Sequence, residues 1–322
     1  MIHEKIYLSD TSKAYLETYL LSPSDQIQIG WKHPVVIVCP GGAYLRTSDQ
    51  EAEQVALHFN AQGYHAAVLR YSCQEAARMP NPLLELALGV HLLRSRSESW
   101  HIASDKIVVC GFSAGGHLCA MLSTQYAQAA KLLGLAAADV RPDAAILGYP
   151  CTDMNYPPKL VSIDNFVIGK VDPACPEKSV IPLYKCALCK KGETWMLDFM
   201  RPMKNYLFDP QQPPKAEADR YSPCLHVTPT TTPTFVWTTA NDDLVPAMHS
   251  IRYAKALWEQ GVACEFHMFE NGPHGLSLAD ETVADNAAMV RREVAVWFSL
   301  AVSWLKGRFS TPGTSGNTGA RI

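Results

Sequence analysis

Residues 111–115 contain a pattern that supports nucleophilic chemistry. The run GFSAG fits G-x-S-x-G, in which small residues two before and two after the serine permit a tight turn from a strand into a helix. The apolar run KIVVC (106–110) precedes it and a helical pattern follows. A chance match in a glycine turn is the alternative, but this context favours Ser113 as a nucleophile at a helix N-terminus, where free N–H groups stabilise negative charge.

A serine hydroxyl is a weak nucleophile at neutral pH and needs a histidine base that is oriented by an acid. In one known arrangement the order along the chain is serine, acid, histidine, and the acid and the histidine each lie in a loop that directly follows a strand. The run NDDLVP after TFVWT supplies Asp242 and Asp243, and NGPHG after CEFHMFE supplies His274. Other downstream histidines lack such a loop at a strand end. His274 is therefore the predicted base, and the spacing alone leaves both aspartates open as the acid.

The oxyanion formed by attack on a carbonyl needs two backbone N–H donors. Ala114, which follows the nucleophile, is one predicted donor. The loop PGGAY (40–44) after the apolar run VVIVC offers Gly42 and Ala43 as the second. A simple turn that ends the strand is the alternative for this loop.

Short apolar runs alternate with helical patterns from residue 34 onward, which is typical of a largely parallel sheet with helices on both faces. The N-terminal run KAYLETYLL predicts antiparallel edge strands. The predicted strands cover residues 35–39, 65–71, 106–110, 143–147, 234–238 and 264–269. The predicted helices cover residues 48–63, 81–100, 113–128, 246–260 and 282–305. The fold class is therefore α/β.

This alternation stops between Pro150 and Pro223, a segment that holds 11 of the 22 prolines. We predict one domain over residues 1–306 with an inserted cap at about 151–223, and a flexible tail at 307–322. Long irregular insertions serve as lids or binding loops, or are only decorative.

The cap is rich in cysteine, including Cys175, Cys186 and Cys189. A structural zinc would need about four ligands, with Cys224 or His226 as the fourth. Reduced, incidental thiols are the simpler interpretation, so we predict no metal, although zinc binding by the cysteines stays open.

Composition excludes several classes of protein. The chain of 322 residues is 48% hydrophobic and 18% charged, with a net charge of -3, which is typical of a globular protein and argues against nucleic acid or an anionic membrane as partner. The first ten residues, MIHEKIYLSD, lack the order of a secretion signal. We expect a cytoplasmic protein.

Five segments together resemble the α/β-hydrolase carbohydrate esterases of the acetylxylan-esterase and feruloyl-esterase-like type, within the esterase and lipase superfamily. The resemblance covers nearly all of residues 13–306. It rests on VCPGGAY, SDQEAEQVALHFNAQGYHAAVLRYS, KIVVCGFSAGGHL, YSPCLHVTPTTTPTFVWTTANDDLVP and FHMFENGPHGLSLA. The resemblance implies an α/β-hydrolase fold with a mostly parallel central sheet. It also implies a reaction that needs no cofactor.

The resemblance also implies roles for individual residues. In this family the acid precedes x-x-Val-Pro, which implies Asp242, and the histidine lies in Gly-Pro-His-Gly, which implies His274. Tyr44, in the oxyanion loop, is the predicted substrate-binding residue. Two features depart from the family pattern. Ala43 replaces a third glycine but keeps the backbone N–H. The insertion from about Cys151 to Glu217, with its cysteines, is no part of that pattern, and because cap segments shape the acyl and leaving-group pockets it leaves the substrate open.

The sequence thus predicts a serine carboxylesterase that removes acetyl or other small acyl groups from plant-derived oligosaccharides such as acetylated xylo-oligosaccharides. Its activity should rise with pH through a pKa near ~6.5. A general short-chain carboxylesterase is the alternative. A prolyl-oligopeptidase-like peptidase would need a gating propeller, for which the residues before 34 give no room, and a non-catalytic binding protein of this fold would typically lack a triad member. The partner is a small-molecule substrate, and a homo-oligomer stays open.

Overall fold

A computed structural model describes residues 1–8, 13–24, 26–27, 30–166 and 179–310. The strands in this part of the chain are Lys5–Tyr7 (β1), Tyr15–Tyr19 (β2), His33–Cys39 (β3), His65–Arg70 (β4), Ile102–Phe112 (β5), Ala144–Gly148 (β6), Val161–Ser162 (β7), Leu188–Lys191 (β8), Thr194–Leu197 (β9), Thr234–Thr239 (β10) and Cys264–Phe269 (β11). The α-helices are Glu53–Ala61 (α1), Asn81–Ser95 (α2), Ser113–Leu133 (α3), Ala137–Val140 (α4), Met200–Leu207 (α5), Pro214–Arg220 (α6), Met248–Glu259 (α7) and Arg292–Phe309 (α8).

Eight strands form the central sheet, in the order β1-β2-β4-β3-β5-β6-β10-β11. Strands β4, β3, β5, β6, β10 and β11 pair in parallel, whereas β1 and β2 are antiparallel at one edge. The predicted fold class is confirmed, including the antiparallel N-terminal edge.

The alternation of side chains along β3 shows how the sheet divides the core. Val35 and Ile37 face one apolar layer and Val36 and Val38 face the other, because successive strand residues point to opposite faces. Helices α2, α3 and α7 supply the first layer, and α1 and α8 supply the second. A parallel sheet covered on both faces has almost entirely apolar strands, which explains the short apolar runs of the sequence.

The turn between β5 and α3 is the tightest connection of the sheet. Strand β5 ends at Phe112 and α3 begins at Ser113, whose φ is +50°. A methyl group at Gly111 would lie 2.3 Å from the Gly115 carbonyl oxygen. A methyl group at Gly115 would lie 1.9 Å from the carbonyl oxygen of Cys39. Glycine at both positions is therefore a steric requirement of the predicted elbow.

The predicted helix over 282–305 begins ten residues too early. The structure starts α8 at Arg292. Upstream of it, the Asp280 side chain accepts hydrogen bonds from the backbone N–H and the hydroxyl of Thr282, and Asn286 accepts from the N–H of Ala288. Short polar side chains that bond the local backbone in this way favour turns over helix.

The segment predicted as a cap forms a second, antiparallel sheet in the order β7-β9-β8, together with α5 and α6. Its own small apolar cluster consists of Ile163, Val180, Ala187 and Leu197. Residues 167–178 lie outside the described part of the chain.

The predicted tail begins too early as well, because residues 307–309 are the last residues of α8. Residues 311–322 lie outside the described part of the chain. Among the helices of the described ranges, none has the length and apolar character that crossing a membrane requires.

Replacing Gly115 by alanine tests the steric requirement at the elbow. We expect Gly115→Ala to lower the free energy of unfolding by about 3 kcal/mol or more, because the new methyl group meets a backbone oxygen that has no room to move. Gly307→Ala is the matched control, since no atom lies within 4 Å of the added methyl group, and it should be neutral or stabilising by up to about 1 kcal/mol. Thermal or urea unfolding measures both. Equal stability of the two variants would contradict the packing argument.

Candidate active site

Three strand ends bring Ser113, His274 and Asp242 together. Ser113 follows β5, Asp242 follows β10 and His274 follows β11. The Oγ of Ser113 lies 2.9 Å from Nε2 of His274, although the two residues are 161 positions apart in the chain. Nδ1 of His274 lies 2.8 Å from Oδ2 of Asp242. These distances match a nucleophile, a base and an acid that orients the base.

The structure separates the two neighbouring aspartates. Asp242 is 2% exposed, and its Oδ1 accepts hydrogen bonds from the backbone N–H groups of Leu244 (2.9 Å) and Val245 (2.8 Å). Asp243 accepts from the backbone N–H of His274 at 2.8 Å instead. Asp242 therefore contacts the imidazole ring of His274, whereas Asp243 contacts the backbone of the loop that carries His274.

The side chain of His274 is 12% exposed and lies among carboxylates. Burial lowers its pKa, but Asp242, then Glu51 and Asp243, act in the opposite direction, and the net pKa is raised above the ordinary value of 6.5. A base is active in its neutral form, so activity that depends on His274 is lost as the pH falls through this raised pKa. The structure thus moves the midpoint expected from the sequence to above ~6.5.

The predicted oxyanion donors lie beside Ser113. Gly42 and Ala43 both line the cavity that contains Ser113 and His274, and their φ values of +125° and +54° place them in a tight turn. Within the described chain neither backbone N–H has a hydrogen-bond acceptor. Ala114 lies in the first turn of α3, where backbone N–H groups have no partner within the helix. The turn and the helix start can thus supply the two required donors.

Tyr44 does not line this cavity, contrary to its predicted role in substrate binding. Its side chain is fully buried, and its hydroxyl donates to Nδ1 of His117 at 2.8 Å. Nε2 of His117 in turn donates to the carbonyl of Tyr221 at 2.9 Å. Burial lowers the pKa of His117 to about 4, so the ring is neutral and Tyr44 ties the oxyanion loop to α3.

A cavity of about 530 Å³ opens above Ser113. The cap contributes one wall, which consists of Leu160, Val161, Ser162, Tyr184 and Phe199. The lining also contains two charged residues that sequence reasoning did not single out, Arg46 and Glu51. Lys159 of the cap, which was not singled out either, donates to the carbonyl oxygen of Asp242 at 2.7 Å. Arg46 and Lys159 lie in none of the segments that carry the resemblance, and Glu51 is one of several acids in SDQEAEQ, so no local pattern distinguishes these three residues.

The cap cysteines do not assemble a metal centre in the described part of the chain, where no three His, Cys, Asp or Glu side chains are grouped to hold an ion. Burial raises the pKa of the Cys186 and Cys189 thiols, and the pKa of Cys224 to about 12. These thiols are therefore neutral. Cys175 lies outside the described residues.

Comparisons with known proteins identify the family of the chain. Residues 27–257 match the BD-FAE family. Endo-1,4-beta-xylanase B of Butyrivibrio fibrisolvens is 26% identical over 255 residues, which are 78% of this chain and 33% of that protein. The acetylxylan esterase of Xylanibacter ruminicola is 27% identical over 272 residues, which are 83% of this chain and 45% of that protein. The chain thus spans less than half the length of these curated relatives.

Two solved structures share the fold over almost the whole chain. MGS-M1, an alpha/beta hydrolase enzyme from a Medee basin deep-sea metagenome library, is 30% identical with a TM-score of 0.67, over 96% of this chain and 98% of that one. The acetyl ester-xyloside bifunctional hydrolase of Caldicellulosiruptor lactoaceticus is 26% identical with a TM-score of 0.67, over 94% of this chain and 96% of that one.

Neutralising each aspartate in turn tests which one faces the imidazole. We expect Asp242→Asn to lower the pKa of His274 strongly, because it removes the carboxylate that bonds Nδ1. Asp243→Asn is the matched control and should lower it less, since Asp243 contacts only the backbone. NMR titration of the imidazole resonances measures both. A larger fall in Asp243→Asn would contradict the assignment.

Proposed function

Because the chain belongs to the BD-FAE family, we propose that it is a serine carboxylesterase that releases acetyl or other small acyl groups from hydroxyls of plant-derived oligosaccharides. Membership confirms the resemblance to esterases with carbohydrate-esterase relatives. The observation that carries the proposal is the hydrogen-bonded chain from Asp242 through His274 to Ser113, at the floor of an open cavity.

The geometry supports hydrolysis in two halves. His274 takes the proton of Ser113 while Oγ attacks the ester carbonyl, and the N–H groups of Ala114 and of Gly42 or Ala43 stabilise the oxyanion. The intermediate collapses, His274 donates the proton to the departing sugar oxygen, and an acyl-serine is left. Water then attacks the acyl-serine with His274 again as base, which releases the acid and restores Ser113. Asp242 holds the imidazole in the required tautomer throughout.

The carbohydrate preference is supported by the relatives and by the size of the cavity. The curated relatives are a xylanase and an acetylxylan esterase, and a structural neighbour is an acetyl ester-xyloside hydrolase. A volume of about 530 Å³ lies within the range of small-molecule sites. A general short-chain carboxylesterase is the second candidate, favoured by the apolar cap residues Leu160, Val161 and Phe199 in the cavity wall.

Removing the nucleophile tests the reaction and the substrate together. Ser113→Ala should lower acetate release from acetylated xylo-oligosaccharides and from an aryl acetate by about 10³-fold or more, because no acyl-serine can form. Ser123→Ala is the matched control, since that buried serine of the same helix donates only to the Cys119 carbonyl; its rates should match those of the wild type. If the wild type hydrolyses only the aryl acetate, the general carboxylesterase is favoured. If Ser113→Ala hydrolyses esters as fast as the wild type, the triad is excluded.

The cap wall predicts the acyl-chain limit. Phe199→Ala removes an aromatic side chain from the lining of the cavity that contains Ser113. We therefore expect the ratio of kcat/KM for butanoyl over acetyl esters to rise, by about 10-fold for two additional methylenes in contact. Phe208→Ala is the control, because Phe208 is a buried aromatic of the cap that lies outside this cavity. An unchanged ratio in Phe199→Ala would show that the acyl group binds elsewhere.

A further inference from the structure

Glu51 is a buried carboxylate in the wall of the active-site cavity. It lies in a single 3₁₀ turn before α1 and is 4% exposed. It belongs to the same cavity wall as Ser113 and His274, yet the proposed reaction gives it no step. A buried charge is strongly unfavourable unless it is paired or hydrogen-bonded, so its contacts indicate what it does.

Each carboxylate oxygen of Glu51 accepts a hydrogen bond from a different loop. Oε2 accepts from the backbone N–H of Gly41 at 2.7 Å, the residue before the predicted oxyanion donors. Oε1 accepts from the hydroxyl of Tyr149 at 2.6 Å, directly after β6. Gly41 also packs tightly, because a methyl group there would lie 2.8 Å from Oε2 of Glu51 and 2.9 Å from Cβ of Ser113.

The second contact continues to the loop of the base. The Tyr149 ring packs edge-on against His274, with 4.8 Å between ring centroids. The Tyr149 hydroxyl accepts from the backbone N–H of Ser277 at 2.9 Å. The Ser277 hydroxyl donates to the carbonyl of Gln50 at 2.7 Å, directly before Glu51. The 3₁₀ turn and the His274 loop are therefore joined at two points.

We propose that Glu51 is a positioning residue that fixes two loops relative to Ser113. It holds the oxyanion loop through Gly41 and the His274 loop through Tyr149. This inference rests on the proposed function. The carboxylate suits the role because it accepts from both loops at once, whereas an amide of the same size has only one acceptor oxygen. Loss of one bond leaves a buried donor unpaired and frees one loop to shift.

Glu51 also acts on His274 by its charge. Burial raises the pKa of Glu51, and the hydrogen bonds from Tyr149 and Gly41 oppose that rise. As a carboxylate, Glu51 adds to Asp242 and Asp243 in raising the pKa of His274. Within the described ranges, the titratable and charged groups around His274 are Arg46, Glu51, Tyr149, Lys159, Asp242, Asp243 and His249. Removing the charge of Glu51 therefore shifts the loss of activity to lower pH.

Three variants separate positioning, charge and simple stability. Glu51→Gln removes the charge and one acceptor, and Glu51→Asp keeps the charge but is too short for both donors. Glu85→Gln is the matched control, because Glu85 is also 4% exposed and its carboxylate accepts hydrogen bonds from the N–H and the hydroxyl of Ser72, outside the catalytic cavity. Steady-state hydrolysis of an aryl acetate from pH 5 to 9 gives kcat, KM and the acid midpoint.

We expect Glu51→Gln to lower kcat by about 10- to 100-fold, with KM changed by less than about threefold because the loss falls on the transition state. Its acid midpoint should move to lower pH. Glu51→Asp should show reduced kcat with the midpoint of the wild type, and Glu85→Gln should keep both. A kcat within twofold of the wild type in Glu51→Gln, or an equal loss in Glu85→Gln, overturns the proposal.

Two further measurements cover a Glu51→Gln variant that does not fold and a wild type that hydrolyses no ester. If Glu51→Gln does not fold by circular dichroism, Tyr149→Phe takes its place, since it removes the hydroxyl between Glu51 and Ser277 and should lower kcat without moving the midpoint strongly. If the wild type hydrolyses no ester, the proposed function fails on its own, and NMR titration of His274 decides the inference. A lower His274 pKa in Glu51→Gln but not in Glu85→Gln supports it, and equal values overturn it.

Discussion

Gly115 in the first turn of α3 lies against the main-chain oxygen of Cys39 at the end of β3, so closely that a methyl group would stand 1.9 Å from it. This contact lets the helix start at the residue that follows the strand. Ser113 is thereby forced into a left-handed backbone conformation, which a serine adopts only where the surrounding structure imposes it. The nucleophile, the helix N-terminus and the oxyanion loop are placed by the same close approach.

The carboxylates of the site are held by backbone N–H groups and by buried side-chain donors. Asp242 accepts from two consecutive N–H groups of its own loop as well as from His274, and Glu51 accepts from Gly41 and Tyr149. Donors of this kind are already oriented before substrate arrives, so they need no reorganisation when charge develops during the reaction. The surroundings of His274 are therefore set by folding and not by ligand binding.

The sequence predicts the central sheet well because its buried strands are short apolar runs. The candidate site residues are predicted because they lie in the loops that follow these strands. Strand ends and turn glycines, which are both local signals, predict Ser113 and His274 as nucleophile and base. Tyr44 was misplaced because exposure depends on tertiary packing, which a loop sequence does not reveal. Glu51 was overlooked since it is one of several acids in SDQEAEQ, and only the folded chain distinguishes the buried one.

The cap could be located by its prolines, but its small sheet could not be predicted. Strands β7 to β9 have two to four residues each, too few for an alternating pattern to stand out. Its contribution to the cavity wall likewise depends on contacts between residues far apart in sequence. The segment that forms part of the cavity wall is therefore the one whose structure is hardest to predict from the sequence.

The distance along the chain between Ser113 and His274 has a consequence for synthesis on the ribosome. The two residues are separated by 161 positions, which take about 10 to 30 s to translate at ordinary rates. Throughout that interval the nascent chain carries a serine without its base, since His274 and the rest of the loop after β11 have not yet been synthesised. Hydrolytic competence thus arises only after the last strand has joined the sheet, and no shorter nascent intermediate can attack esters by this mechanism.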